Sequence, residues 1–381
     1  MEKNIIIIGP IYPYKGGISH YTGLLYMALA KKYNVAIFSF KLQYPGFLYP
    51  GNEQKDASDS RFETDNTSYT INSINPLSWI ATAIKIIKLK PGLLIIPWWN
   101  PYFSTCFLTI TVLVKLFSKS KVLYICHNVL PHEKLPFQKI LAKLTMSRGD
   151  SLIVHSIEDE QKLLDLLPKA KCKKHVHPTY NIFKRDDMSF TKARELLNID
   201  NNCKVLLFFG FIREYKGLIY LIKALPRIVK SYSNLKLIIV GEFFQDKDQY
   251  LNEIADLDLE KNIEIYDGYI PDQEVGKFFV ASDIVVLPYT SATQSGIVQI
   301  AYGFYKPVLV TNVGGLPEVV EHKNTGYIVE PKNPEHISDA LIDFFKEDRQ
   351  DEFIANIKSQ EERFSWDKMV ETIEELGGLS S

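Results

Sequence analysis

The sequence predicts an α/β chain made of two doubly wound halves, each a parallel sheet covered by helices on both faces. Aliphatic runs of four to eight residues recur along the chain, bounded by glycine or polar turns and followed by stretches with helical periodicity. Strands alternating with helices imply right-handed βαβ units, hence parallel sheets. The length of 381 residues accommodates two domains of about 100–200 residues, each able to bury its own core.

The first strand is Ile5–Gly9. Its four isoleucines are too few for the apolar core of a signal peptide and run straight into Gly9-Pro10, which marks a buried strand. Val35–Phe40, Leu93–Pro97, Lys121–Asn128 and Ser151–Ser156 follow in the first half. Val205–Phe211, Leu235–Glu242, Ile284–Tyr289 and Pro307–Gly315 form the second. The Pro178 turn and the charged stretch after it place the boundary near residue 185. The expected domains are therefore 1–185 and 186–360, with 361–381 as a terminal helix packing back on the first. Open parallel sheets bind ligands beyond the carboxyl ends of their strands, so two such sheets facing each other would enclose a cleft lined by those loops.

Composition narrows the function. With 44 Lys and Arg against 45 Asp and Glu the net charge is −1, so no global field draws the chain to nucleic acid. At 46% hydrophobic and 23% charged residues, disordered and low-complexity classes are excluded. Cys106, Cys126, Cys172 and Cys203 are widely separated, which fits neither a zinc site nor a disulfide framework and suits a reducing cytoplasm.

The segment from Ile95 to Phe117 is long enough and apolar enough to be mistaken for a membrane span, but Pro97, Asn100 and Pro101 interrupt it. The remainder, Tyr102–Phe117, reads as a buried or interfacial helix rather than a span. Lys115, Lys119, Lys121, Lys134, Lys139, Lys143 and Arg148 follow, against Glu133 alone. This stretch is either a core helix with a solvated basic face or a surface drawn to an anionic leaflet.

Two loops have the composition of anion sites. After the first strand, Lys15-Gly16-Gly17 precedes a helix beginning near Ile18 or Ser19, and paired glycines let a bound group approach the helix-start amides. The loop matches neither the GxGxxG nor the GxxxxGK[ST] pattern, which weighs against hydride transfer and ATP hydrolysis. In the second half Arg213 and Lys216 lie in the turn between a strand and a helix, an arrangement suited to a diphosphate.

Taken together, the Gly16-Gly17 loop, the CHN turn with His127, REYKG at Arg213–Gly217, ASDIVVLPY, KPVLVTNVGGLPE, NTGYIVEP and a final FSW resemble the retaining glycosyltransferases of family 4, which have the GT-B fold. The resemblance covers nearly the whole chain. It implies a nucleotide-sugar donor held by the second domain, a glycan or lipid-linked acceptor held mainly by the first, and transfer that retains anomeric configuration. The lysine matching Lys216 and a nearby arginine would hold the donor diphosphate. The family places that arginine where this chain has Phe211, so Arg213 stands in for it.

A second departure concerns the Glu-x7-Glu pair of the family, whose positions fall here on Ala292 and Ile300. Thr293, Gln294, Ser295 and Gly296 offer neutral donors for the sugar or diphosphate instead. The resemblance gives His127 a hydrogen bond to the donor sugar or phosphate, and makes His20, His132 and Glu133 acceptor-side candidates. Backbone groups around Ile270, within Tyr266–Glu274, are the implied base site.

The family's front-face transfer, in which the leaving phosphate helps deprotonate the acceptor, needs no protein nucleophile. No metal or other cofactor is expected, since no Asp-x-Asp pair falls in a loop placed at the cleft. The implied setting is the cytoplasm, with contact at the inner membrane face if the basic stretch binds lipid. A GT-B sugar-nucleotide epimerase and a non-catalytic nucleotide-sugar or glycan-binding protein are the alternatives, the latter favoured by the absent glutamates.

Overall fold

A computed structural model describes residues 4–48, 54–56, 60–130, 137–244 and 247–379. The chain forms two compact units: Met1–Pro178 with Ser365–Ser381, and Thr179–Phe364. The division falls at Pro178, earlier than the expected 185.

The first unit runs β1 (Ile5–Ile8), α1 (Gly17–Ala30), β2 (Val35–Leu42), β3 (Thr67–Asn72), α2 (Pro76–Leu89) and β4 (Leu93–Trp98). It continues through α3 (Ser104–Phe117), β5 (Lys121–Cys126), α4 (Gln138–Met146), β6 (Ser151–Val154), α5 (Ile157–Leu166) and β7 (Cys172–Lys174). Seven parallel strands are ordered β3-β2-β1-β4-β5-β6-β7. Every residue of β1, β4 and β6 is buried, as continuous apolar runs require of interior strands. Right-handed crossovers carry α2, α3, α4 and α5 along one face of this sheet and α1 along the other.

The second unit runs α6 (Phe190–Leu196), β8 (Lys204–Phe209), α7 (Leu218–Ser231), β9 (Leu235–Gly241), α8 (Lys247–Asp256), β10 (Ile263–Asp267) and α9 (Asp272–Ala281). It closes with β11 (Ile284–Leu287), α10 (Gly296–Gly303), β12 (Val308–Thr311), α11 (Leu316–Val319), β13 (Gly326–Val329), α12 (Pro334–Lys346) and α13 (Gln350–Ser359). Its six parallel strands are ordered β10-β9-β8-β11-β12-β13. Leu206, Phe208, Leu221, Ile239, Val286 and Leu309 lie at the centre of its core. Beneath the sheet the buried Arg194 pairs with Asp283, whose other oxygen accepts from Val205 N at 2.7 Å.

The last helix, α14 (Trp366–Gly377), belongs to the first unit. Ser365 caps it by accepting from Lys368 N, Tyr33 donates to Glu374 at 2.8 Å, and Trp366 packs on Tyr21. Both units are Rossmann-like parallel sheets, as the sequence predicts.

Several expectations need correction. Four strands go unread: β3, β7, β10 and β13, the last lying inside the NTGYIVEP motif. The expected strands at Lys121–Asn128, Ser151–Ser156, Val205–Phe211 and Pro307–Gly315 all end sooner, releasing His127, His155 and Gly210 into loops. The apolar segment after Asn100 is a 3-10 turn, Pro101–Phe103, followed by α3. Among the described residues no helix is long and apolar enough to cross a membrane.

Candidate functional site

In the second unit the chain winds from β8 outward to β10, then crosses back to start β11 on the other side of β8. The loops leaving β8 and β11 therefore part at a switch point, the place where a doubly wound sheet opens a crevice for a ligand. Lys216 lies in the first loop, Tyr289 and Thr293–Gly296 in the second.

These loops are tied together. Thr290 N donates to Tyr215 O at 2.7 Å, and Lys216 Nζ donates to Tyr289 Oη at 3.1 Å. Tyr289 Oη lies 3.3 Å from Ser295 Oγ, so a polar chain runs from the ammonium to the start of α10. Gly217 permits this closeness: its φ is +68°, and a Cβ there would stand 2.0 Å from Pro288 O. No side chain caps α10, whereas Ser156 caps α5 and Asn333 caps α12. The positive end of α10 thus adds to the charge of Lys216. Burial favours a neutral Lys216, but Tyr289 and Tyr215 outweigh it and the net shift is upward, so Lys216 stays an ammonium.

The remaining expected donors of this unit occupy the same loops or a neighbouring one. Arg213 opens the Lys216 turn with its guanidinium 4.5 Å from the Phe244 ring, and its charge acts on Lys216. Thr293 is buried and accepts from Gly315 N at 2.8 Å; Gln294 is half-buried. Ile270 is half-buried in the loop after β10, next to the positive-φ Gly268. Ala292 and Ile300 are buried, so those positions bring no carboxylate.

In the first unit α1 begins at Gly17, slightly earlier than expected, and Gly16 has φ +100° with open space where a Cβ would stand. His20 is half-buried with its ring 6.0 Å from that of Phe62. His127 follows β5, and its N donates to Trp98 O at 2.8 Å. Its ring lies 4.4 Å from that of Tyr21, the residue one helical turn beyond Gly17. His155 and His177 complete a buried cluster, at 5.4 and 5.9 Å from His127. His155 Nδ1 pairs with His175 O at 2.8 Å and His177 Nδ1 with Pro178 O at 2.9 Å, which makes both Nδ1 atoms the protonated nitrogens. Burial first, then the neighbouring imidazoles, hold His127 and His155 well below the usual histidine range. His132 and Glu133 lie outside the described residues.

Sequence reasoning missed Tyr289, Tyr21, His155 and His177. Tyr289 ends a run read only as a strand, and His155 was placed inside one. Among the described residues no group of three or more His, Cys, Asp and Glu side chains is arranged to hold a metal ion.

Residues 189–360, within the second unit, match the family model described as glycosyl transferases group 1. The whole chain has the GT-B fold. It superposes on Anabaena HepE in complex with UDP with a TM-score of 0.74 at 17% identity, covering 99% of this chain and 100% of that one. Sucrose-phosphate synthase from Thermosynechococcus elongatus gives 0.74 at 16%, with coverage of 99% and 100%. A D-inositol 3-phosphate glycosyltransferase of Corynebacterium glutamicum is 30% identical over 168 residues, 43% of this chain and 40% of that protein. A lipopolysaccharide 1,2-N-acetylglucosaminetransferase of Salmonella typhimurium is 27% identical over 191 residues, 48% of this chain and 50% of that protein. The matched stretches span about half the length of these curated relatives.

Proposed function

We propose that the protein is a retaining glycosyltransferase of family 4. It moves a hexosyl group from a nucleotide-diphosphate sugar to a glycan or lipid-linked acceptor, in surface polysaccharide or glycoconjugate synthesis at the inner membrane face. The observation that carries this reading is the meeting of Lys216, Tyr289 and Ser295 at the uncapped start of α10, on the switch point of the unit that carries the group 1 match. Relatives named for lipopolysaccharide and inositol phosphate substrates support a hydroxyl-bearing acceptor.

Breaking the bond between the anomeric carbon and phosphate leaves negative charge on the departing diphosphate. Lys216, Arg213 and the α10 amides stand ready for that charge, so little reorganisation accompanies the reaction. These side-chain cations serve in place of a metal ion. The acceptor oxygen attacks on the face the diphosphate leaves, and its proton passes to the departing phosphate oxygen. Gly16 and Gly17 bring backbone close to the donor, and neutral His127 hydrogen-bonds the sugar. Ile270 marks the base site, Thr293–Gly296 the sugar and diphosphate, and His20, with His132 and Glu133, the acceptor side.

A binding protein without turnover is the second reading, favoured by Ala292 and Ile300 in place of carboxylates. Thermal-shift screening against sugar nucleotides identifies the donor, because a ligand of the native state raises its melting temperature. Release of nucleoside diphosphate from that donor, lost in Lys216→Ala, supports transfer, and NMR of the product reads retention. Tight binding without release, across a panel of acceptors, supports the binding protein.

A further inference from the structure

Three neighbouring helices of the first unit present apolar side chains to solvent. On α2, Leu77, Ile80 and Ile84 recur one turn apart along its outer face, and Leu77 is 75% exposed. On α3 the buried stripe Phe107, Ile110, Val114 faces the sheet, while Leu116 and Phe117 at its end are each 69% exposed. An open apolar groove lined by Ile80, Leu108, Thr109, Val112 and Leu113 joins these two helices. On α4, Ile140 and Leu144 continue the surface from Phe137, which is 74% exposed. Contacts of α3 with both α2 and α4 place the three side by side. Exposed apolar patches of this extent mark interaction sites.

The charge at the margin selects the partner. Lys85, Lys88, Lys119, Lys139 and Lys143 lie on these helices or just after them, Lys115 is paired with Asp150 at 2.6 Å, and between residues 66 and 149 the sequence has one acidic residue, Glu133. A second copy of the chain packed through this face would set lysine rows against lysine rows, because a twofold interface apposes a patch to itself. An anionic bilayer answers both features, since its acyl boundary takes the apolar rows and its headgroups take the ammonium groups.

We propose that the α2-α3-α4 face is the surface by which the protein lies on an anionic membrane, with Leu77, Ile84, Leu116, Phe117, Phe137 and Ile140 entering the headgroup and acyl boundary. This deepens the membrane-side reading above and rests on it for its biological sense, but the binding itself is independent of sugar transfer.

The test is sedimentation of the full chain with phosphatidylcholine vesicles, with and without phosphatidylglycerol. The chain is expected to pellet with the anionic vesicles. High salt should weaken this without abolishing it, as apolar insertion is not screened. Leu116→Ser/Phe117→Ser should weaken vesicle binding by about tenfold or more. Lys139→Glu/Lys143→Glu should do the same and remove much of the salt dependence. Both variants change exposed residues, so wild-type melting temperatures are expected. Failure to pellet with anionic vesicles, pelleting unaffected by either variant, or a dimer in light scattering that only the serine variant dissolves would overturn the proposal. Nucleoside diphosphate binding measured on the same samples separates the two readings: vesicle binding without it leaves the surface standing and removes the transferase.

Discussion

Lys216 Nζ donates a hydrogen bond to Tyr289 Oη at 3.1 Å and lies 4.9 Å from the centre of the same ring. The phenol fixes the ammonium in the crevice between β8 and β11 without neutralising it. A carboxylate there would cancel the ammonium's charge.

Tyr289→Phe keeps the ring and removes the acceptor. The expected result in calorimetric titration is a loss of about five- to tenfold in nucleoside diphosphate affinity, from one lost hydrogen bond to a charged group. Unchanged affinity would leave Tyr289 a packing residue.

Gly217→Ala tests the joining of the two loops. With φ at +68° and a Cβ driven to 2.0 Å from Pro288 O, the Lys216 turn must move. Stability should fall by about 1–3 kcal/mol in urea denaturation, together with donor affinity.

The histidine cluster makes stability depend on pH. His175 and His177 are lowered to about 4, by burial first, and His127 and His155 are lowered in the same way. The unfolded chain therefore takes up protons near pH 6.5, where the native state does not. Stability is full above 6.5 and is lost as pH falls toward 4. Asp159, raised to about 6 by burial, acts in the opposite sense below that pH but is one group against four. Urea midpoints should drop by an amount worth a few kcal/mol between pH 7 and 5, and His155→Gln should flatten the slope. A flat profile in the wild type would contradict this.

Arg194 and Asp283 are 1% and 9% exposed, and Arg194 also donates to the carbonyls of Ala281, Asp200, Asn201 and Cys203. Arg194→Ala strands a buried carboxylate and should cost about 3–5 kcal/mol in chemical denaturation. Arg194→Met/Asp283→Leu should cost less, since no carboxylate is left stranded, though the buried Lys306 loses the attraction of Asp283 as well.

What the sequence conceals has a physical pattern. The strands it reveals are interior ones, such as Ile5–Ile8 and Ile284–Leu287, buried at every position. The four unread strands β3, β7, β10 and β13 are the four sheet edges. An edge strand has one neighbour and partial solvent exposure, so Thr67–Asn72 and Cys172–Lys174 carry polar residues that hide them from a search for apolar runs. The site divides in the same way. Lys216 and the 293–296 loop are legible because each follows a recognisable strand. The bond from Tyr289 to Lys216 spans 73 positions, and the Tyr21 cluster draws on α1, three strand ends and α14, so only the assembled sheet brings them together.

The proposed reaction depends on a nucleoside diphosphate being held by the Lys216 ammonium at the start of α10. Calorimetric titration of the wild type and Lys216→Ala with a panel of nucleoside diphosphates tests it most directly. One diphosphate should bind the wild type, and the variant should bind it at least about tenfold more weakly while keeping its melting temperature. Equal affinity in both proteins, or no binding by the wild type across the panel, would contradict the account.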